Sequence, residues 1–341
     1  MMRLPRFRFV APASVAEAAD VLAAASPGEA MIVAGGTDLI PNMKRRQQVP
    51  ATLIGLRGIP ELRTIGNRDG YRIGAGVTLS QVVRAVPQAS PFDGLRQAAA
   101  QVATPHLRNM GTIGGNLCLD TRCNYYDQNY EWRRAIGFCM KKDGSTCWVA
   151  PSSPKCLAIS STDTAPALIA LDATISLLSA AGTRRMPLRQ LYANDGINYL
   201  TRRPDEILTT VTLPRRDGWR STYWKLRRRG SFDFPVLAVA AAVKRASDGT
   251  VEDARIVLGA LASQPIAADG AATLLIGGSL ADDQIAVAAE ASARPVRPMD
   301  NTDFSLHWRK RVASTFVTYA LRELRGDDMR ATRYRIARQL L

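Results

Sequence analysis

Histidine is almost missing from this chain: His106 and His307 are its two examples in 341 residues. They stand far apart with no metal-like spacing, and neither a Ser/His/Asp triad nor a nucleophile elbow can be read around them. His106 is expected to brace the segment that follows it, and His307 to pack or face solvent. Long hydrophobic runs are lacking too. No window approaches the apolar length of a membrane helix, and residues 1–10 alternate arginine with apolar residues rather than forming a secretory signal. The chain is therefore expected in the cytoplasm, off the membrane. Polar low-complexity tracts, which would predict disorder, are also absent.

Acidic residues are in short supply, 30 against 45 lysines and arginines, for a net charge of +15. Such a balance draws a protein to polyanions. The arginines are scattered, however, with tight basic runs at 44–46 and 227–229 and no interleaved aromatics on which bases could stack. A solvated basic surface, or a docking face for an acidic partner, is expected in place of nucleic-acid binding.

What is present suits a folded, multi-part protein. Hydrophobic residues make up 46% and charged residues 22%, ordinary globular proportions, and the length allows two or three packed subdomains with an insert. A strand at 8–10 precedes a helix over 14–25, with Ser14 and Glu17 spaced as a capping box. A strand at 31–34 runs into Gly35, Gly36, Thr37 and Asp38, and a helix over 39–45 follows. Short strands are predicted at 52–54, 64–65 and 71–73, and helices at 79–85 and 94–103, the latter striped by Leu95, Ala98, Ala99 and Val102. A second glycine-rich turn runs from Gly111 through Thr112, Ile113, Gly114 and Gly115 to Asn116. Residues 119–160 show no period of either kind and read as a long irregular loop. Order resumes at 164–171, with strands at 174–179 and 206–213. Past a boundary near 214–219, strands at 222–226, 236–243 and 254–261 are followed by helices at 282–293 and 306–324.

The turn at 34–38 has a physical use, since glycine lets the backbone close on a diphosphate and point successive N–H groups at its oxygens, while Thr37 adds a hydroxyl. It lacks the G-x-G-x-x-G and phosphate-loop Gly-Lys-Ser/Thr spacings, so alone it can be an ordinary turn. Two such turns could clamp one extended cofactor from both sides. All five cysteines fall in one short window, unlike a disulfide scaffold. Cys123, Cys139, Cys147 and Cys156 are separated by fifteen, seven and eight residues. Four thiolates could complete a 4Fe-4S cluster or a tetrahedral zinc site, or remain unliganded, and spacing leaves the three open. Cys118 lies outside the set and is expected to be a buried structural residue.

Three ordered motifs carry a resemblance: Val-Ala-Gly-Gly-Thr-Asp-Leu at 33–39, Arg-Asn-x-Gly-Thr-Ile-Gly-Gly-Asn-Leu at 108–117, and Ser-x-x-Asp-x-x-Pro-Ala-Leu-x-Ala-Leu at 160–171. With the continuation through Asp205-Glu206-Ile207-Leu208, Leu213-Pro214, Lys225 and 254–259, the chain resembles, nearly end to end, the FAD-binding medium subunit of the molybdenum hydroxylase (xanthine dehydrogenase) family. The resemblance implies an α+β fold: an FAD-binding part of the vanillyl-alcohol oxidase and p-cresol methylhydroxylase type over 1–216, with subdomains 1–56 and 57–216, and an α+β C-terminal domain over 217–341. It implies that Val33, Ala34, Gly35, Gly36, Thr37, Asp38, Thr112, Gly114, Gly115 and Asn116 surround the FAD diphosphate, that Asp163 lies at the adenosine portion, and that Leu208 and Lys225 lie against the flavin ring. Asp163 could equally be a helix N-cap, and Lys225 an ordinary surface lysine.

One departure from the family pattern stands out. About forty residues separate Gly-Gly-Asn-Leu from Ser-x-x-Asp, where ordinary members have a few. An iron-sulfur insertion at this point resembles the β subunit of 4-hydroxybenzoyl-CoA reductases, which implies a 4Fe-4S cluster on Cys123, Cys139, Cys147 and Cys156. The same resemblance implies ferredoxin as electron donor, a small 2Fe-2S subunit and a large molybdopterin subunit as partners, and a dimer of heterotrimers. The cofactors, not this chain's side chains, would then carry the chemistry.

Overall fold

The computed structural model describes residues 2–338. Its α+β architecture is built on three separate sheets. The first is parallel: β1 (Arg8–Val10), α1 (Val15–Ala23), β2 (Ala30–Val33), α2 (Leu39–Lys44) and β3 (Thr52–Gly55) give the order β1-β3-β2. Parallel neighbours need crossovers, and α1 supplies one, burying Val15, Ala18, Ala19 and Leu22 against Ile54, Leu56 and Ile59. Ser14 caps α1 by accepting from the Glu17 N–H at 3.1 Å. The return bond expected of a capping box falls one residue upstream, where Glu17 Oε2 accepts from the Ala13 N–H at 2.7 Å.

The second sheet is antiparallel. It comprises β4 (Ile65–Gly66), β5 (Gly70–Gly74), β6 (Thr174–Ser179), β7 (Gly182–Pro187) and β8 (Ile207–Pro214), in the order β4-β5-β8-β6-β7. Between β5 and β6 the chain makes α3 (Leu79–Ala85), α4 (Asp93–Ala100), α5 (Pro105–Arg108), α6 (Ile113–Leu117), α7 (Tyr130–Ala135) and α8 (Thr164–Ala170). Strand β7 was not expected. It is an edge strand with Thr183 and Arg185 exposed, so it lacks the apolar alternation by which a strand is recognised. Helix α3 obeys its sequence signal: the Thr78 hydroxyl accepts from Gln81 N–H, and Gln81 Oε1 accepts from Thr78 N–H at 2.9 Å, a complete capping box.

The third sheet opens at Trp219. Strands β9 (Trp219–Leu226), β10 (Leu237–Arg245), β11 (Val251–Gly259) and β12 (Ile266–Ala267) form an antiparallel sheet in the order β12-β11-β10-β9. Four helices follow: α9 (Asp269–Thr273), α10 (Asp282–Ala293), α11 (Leu306–Arg325) and α12 (Arg330–Ala337). Strand β10 is buried on both faces, which explains its unbroken apolar sequence. Val239, Ala241 and Val243 meet Phe316 and Val317 of α11. Ala238, Ala240 and Ala242 share a cluster with Ala98 of α4 and with Ala167 and Ala170 of α8, the small side chains letting those helices come close. Helix α12 was not expected either, since none of its residues is buried.

The segment 119–160 is irregular apart from α7, as its composition predicts. Its base is pinched shut by a two-bond bridge, Arg122 N–H to Ile159 O and Ile159 N–H to Arg122 O, both 2.8 Å. Among the described residues, no helix is long and apolar enough to cross a membrane.

Candidate functional site: two glycine turns and a cysteine insertion

The two glycine turns meet backbone to backbone. A Cβ on Gly35 would stand 2.0 Å from the Met110 carbonyl oxygen and 2.9 Å from Gly111 Cα. One on Gly111 would lie 3.3 Å from Thr37 Oγ1. No other residue type fits at Gly35, and the approach of turns 75 positions apart is what its missing side chain permits. Gly36 turns the chain with φ +69°, a left-handed conformation that suits glycine.

The second turn is held from behind. Leu79 N–H donates to Gly111 O, Ile113 N–H to Val77 O and Gly114 N–H to Ala75 O, each at 2.9 Å. Gly114 sits so tightly that a Cβ there would be 2.7 Å from Ala75 Cβ. Thr112 is the N-cap of α6, its hydroxyl accepting from the Gly115 N–H at 3.0 Å. Asn116 then joins this turn to the start of α8, its Oδ1 accepting from Thr162 Oγ1 at 2.9 Å, Thr164 N at 3.1 Å and Thr164 Oγ1 at 2.6 Å.

A cavity of about 300 Å³ opens where the turns converge, lined by Ala34, Asn109, Met110 and Thr112 together with Arg57, Arg63 and Arg84. The three guanidinium groups form no ion pair among the described residues, so the cavity offers positive charge to an anion. Sequence reasoning missed these arginines. They are single residues among many, and proximity in space is what gathers them.

Asp163, Leu208 and Lys225 have different surroundings. Asp163 and Lys225 hold each other: Lys225 Nζ lies 2.9 Å from Asp163 Oδ1, with 0% and 4% of the two side chains exposed. Lys225 Nζ also donates to Gln101 O at 3.1 Å and Asp233 O at 2.9 Å, and the Tyr223 hydroxyl donates to Asp163 Oδ1 at 2.7 Å. Burial pushes the Asp163 carboxyl up and the Lys225 amine down, against the pull of their mutual attraction. Lys225 is thus no surface lysine, and Asp163, although it stands at the N-cap position of α8, makes no side-chain capping bond. Leu208 is packed in the core of the second sheet, opposite Leu177.

The insertion brings its cysteines into one neighbourhood. Cys123, Cys139 and Cys156 share a buried cluster with Tyr126 and Ala158, and Cys147, 5% exposed, lies within electrostatic reach of Cys156. A Cβ on Gly196 would meet Cys156 Sγ at 2.7 Å, so a glycine is needed to let that sulfur in. Burial pushes the Cys123 thiol up to about 12 and the Cys156 thiol to about 11. Lys141 stands beside them, its ammonium 2.8 Å from Asp120 Oδ1 and 4.8 Å from the centre of the Tyr126 ring. The expected ligand set is not closed: among the described residues, no three His, Cys, Asp or Glu side chains converge on a point where a metal ion could be held. None of the five cysteines is in a disulfide, and Cys118, expected to be buried, is partly exposed against the core of the second sheet.

The insertion is docked on α2, the helix that leaves the first glycine turn. Arg122 pairs with Asp38, donates to Asn42 Oδ1 at 3.1 Å and stacks 4.9 Å from the centre of the Phe234 ring. Arg45 reaches Asp127 at 2.6 Å. Arg133, fully buried, donates to the carbonyls of Arg45 and Arg46 at the end of α2, at 3.1 and 3.3 Å.

Fold and turns together define an α+β protein with a positively charged cavity where two glycine turns meet, and comparison with known proteins names its family. Residues 5–216 match the FAD binding domain in molybdopterin dehydrogenase, and residues 221–324 the CO dehydrogenase flavoprotein C-terminal domain. The chain belongs to this molybdenum hydroxylase flavoprotein family and is an oxidoreductase subunit. Among its relatives, the nicotinate dehydrogenase FAD-subunit of Eubacterium barkeri is 30% identical over 80% of this chain and 81% of that one. The nicotine 6-hydroxylase medium subunit of Paenarthrobacter nicotinovorans is 27% identical over 90% and 93%. The solved carbon monoxide dehydrogenase from Hydrogenophaga pseudoflava superposes with a TM-score of 0.76 at 26% identity, covering 95% of this chain and 98% of that one.

Proposed function

We propose that this chain is the flavin-carrying electron-relay subunit of a three-subunit molybdenum enzyme. The observation that carries this reading is the close backbone approach of Gly35 to Met110 and Gly111 beside a cavity lined by Arg57, Arg63 and Arg84, which offers positive charge to an anionic group such as a diphosphate. Gly35, Gly36, Thr37, Thr112, Gly114 and Gly115 would hold the diphosphate, with Val33, Ala34, Asp38 and Asn116 alongside. Asp163 and Lys225 would shape the wall toward the rest of the cofactor, and Leu208 its apolar side. When bound, FAD supplies a carrier able to take one or two electrons. In this reading residues 1–216 are the flavin domain, residues 217–341 support it, and a small 2Fe-2S subunit and a large molybdopterin subunit complete the enzyme.

The relatives' names, a nicotine hydroxylase and a nicotinate dehydrogenase, favour a hydroxylase in which electrons leave through this subunit to an external acceptor. A second reading rests on the insertion, where four buried cysteines lie in one neighbourhood of the chain. A 4Fe-4S cluster spreads its ligands wider than a single ion does, and would draw Cys123, Cys139, Cys147 and Cys156 in as thiolates despite their burial. That would make the enzyme a reductase of the 4-hydroxybenzoyl-CoA type, fed by ferredoxin. Flavin and iron analysis of the purified complex tests both. One FAD per chain, lost when Gly114 is replaced by valine, supports the relay role, and a complex without flavin overturns it. An EPR signal on anaerobic reduction that disappears in Cys139→Ser supports the cluster, whereas zinc in place of iron overturns the reductase reading.

A further inference from the structure

Asp38 presents a difficulty for any diphosphate held by the first glycine turn. Its carboxylate lies one residue beyond Thr37, and a negative charge there repels the ligand that the turn is built to hold. Two side chains answer that charge: Asn42 Nδ2 donates to Asp38 Oδ2 at 3.1 Å, and Arg122 forms an ion pair with Asp38 Oδ1. Arg122 comes from the cysteine insertion, 84 positions away, and its side chain is only 7% exposed. It is also held by Asn42, by Asp127 at 3.3 Å, by the Phe234 ring, and by the backbone bridge to Ile159 that closes the insertion.

We infer that Arg122 is a positioning residue for the flavin: it cancels the Asp38 charge and makes FAD retention depend on a folded insertion. This rests on the proposed flavin role of the glycine turns. Whatever its cysteines hold, the insertion grips the helix that follows the first turn through Arg122, Arg133 and Asp127.

The test uses the complete complex and follows FAD dissociation by flavin fluorescence, with thermal unfolding as a control. Arg122→Met should release FAD about tenfold faster or more, a loss worth about 1.4 kcal/mol. The double variant Arg122→Met with Asp38→Asn should recover most of the retention, because the unpaired carboxylate is then gone. A purely structural role for Arg122 would lower the unfolding midpoint of the single variant and restore it in the double, while leaving FAD release from the folded complex unchanged in both. Asp38→Asn alone should slow FAD release, which keeps the idea testable where Arg122→Met does not accumulate, and faster release from it overturns the inference. Wild-type flavin content with Arg122→Met holding FAD as tightly, or a double variant no better than the single, overturns the inference and leaves the flavin reading standing. A wild-type complex without flavin overturns both.

Discussion

Asn116 Oδ1 accepts the hydroxyl proton of Thr164 at 2.6 Å, and this bond ties the second glycine turn to the first residue of α8. The same oxygen takes two further donors, so a buried amide serves as the joint between turn and helix. Replacing Asn116 with alanine strands the Thr164 N–H and two hydroxyls away from water. Leaving a buried donor unsatisfied costs about 1–3 kcal/mol. A lower thermal midpoint, together with lower bound flavin, is expected for Asn116→Ala.

Glycine substitutions should divide sharply by position. In Gly35→Ala the new methyl meets the Met110 backbone, which cannot swing aside as a side chain would, so the turns must separate and flavin affinity should fall about tenfold or more. Gly270, in α9, faces open space. Gly270→Ala should leave flavin content intact and stabilise the chain by up to about 1 kcal/mol through helix propensity. Flavin titration and chemical denaturation of the two variants check this contrast.

The Asp163 and Lys225 pair should punish single changes more than a double one. Lys225→Met leaves a carboxylate in a dry interior, and breaking such a pair costs about 3–5 kcal/mol. Removing both charges with Asp163→Asn and Lys225→Met should recover part of that loss. A double-mutant cycle in urea measures the coupling.

Glu323 carries a pH signature. Burial alone would raise its carboxyl, but Arg333 at 2.6 Å and the Thr222 and Trp224 donors outweigh burial and hold it below its ordinary value of 4.5. A carboxylate depressed in the folded state contributes stability that is complete above its unfolded pKa and is lost as pH falls through the lower folded value. Glu323→Gln should therefore be less stable than the parent at neutral pH, with the gap closing in acid. Denaturation at a series of pH values reads the sign directly.

Much of the local structure was legible in advance, for a local reason. Thr78 and Gln81 mark the start of α3, and the apolar spacing of 282–293 and 306–324 marks α10 and nearly all of α11, because capping and a period of 3.6 are written in neighbouring residues. Strand β7 and helix α12 escaped notice because each lies at an edge or on the surface, with little apolar burial to leave a pattern. Burial of the four cysteines was consistent with their clustering in the chain, while their failure to close on one metal point was not readable from spacing.

The sequence alone determined the glycine turns at 35–36 and 111–115, the irregular insertion between them and α8, and the family to which the chain belongs. Only the tertiary structure decided that Gly35 lies on Met110, that Arg57, Arg63 and Arg84 share a cavity, that Asp38 is answered by Arg122, and that Lys225 is spent on Asp163. Turn chemistry acts over a few bonds and is visible wherever the residues are read. Desolvation and charge pairing act through space, and their outcome exists only once distant segments have been packed together.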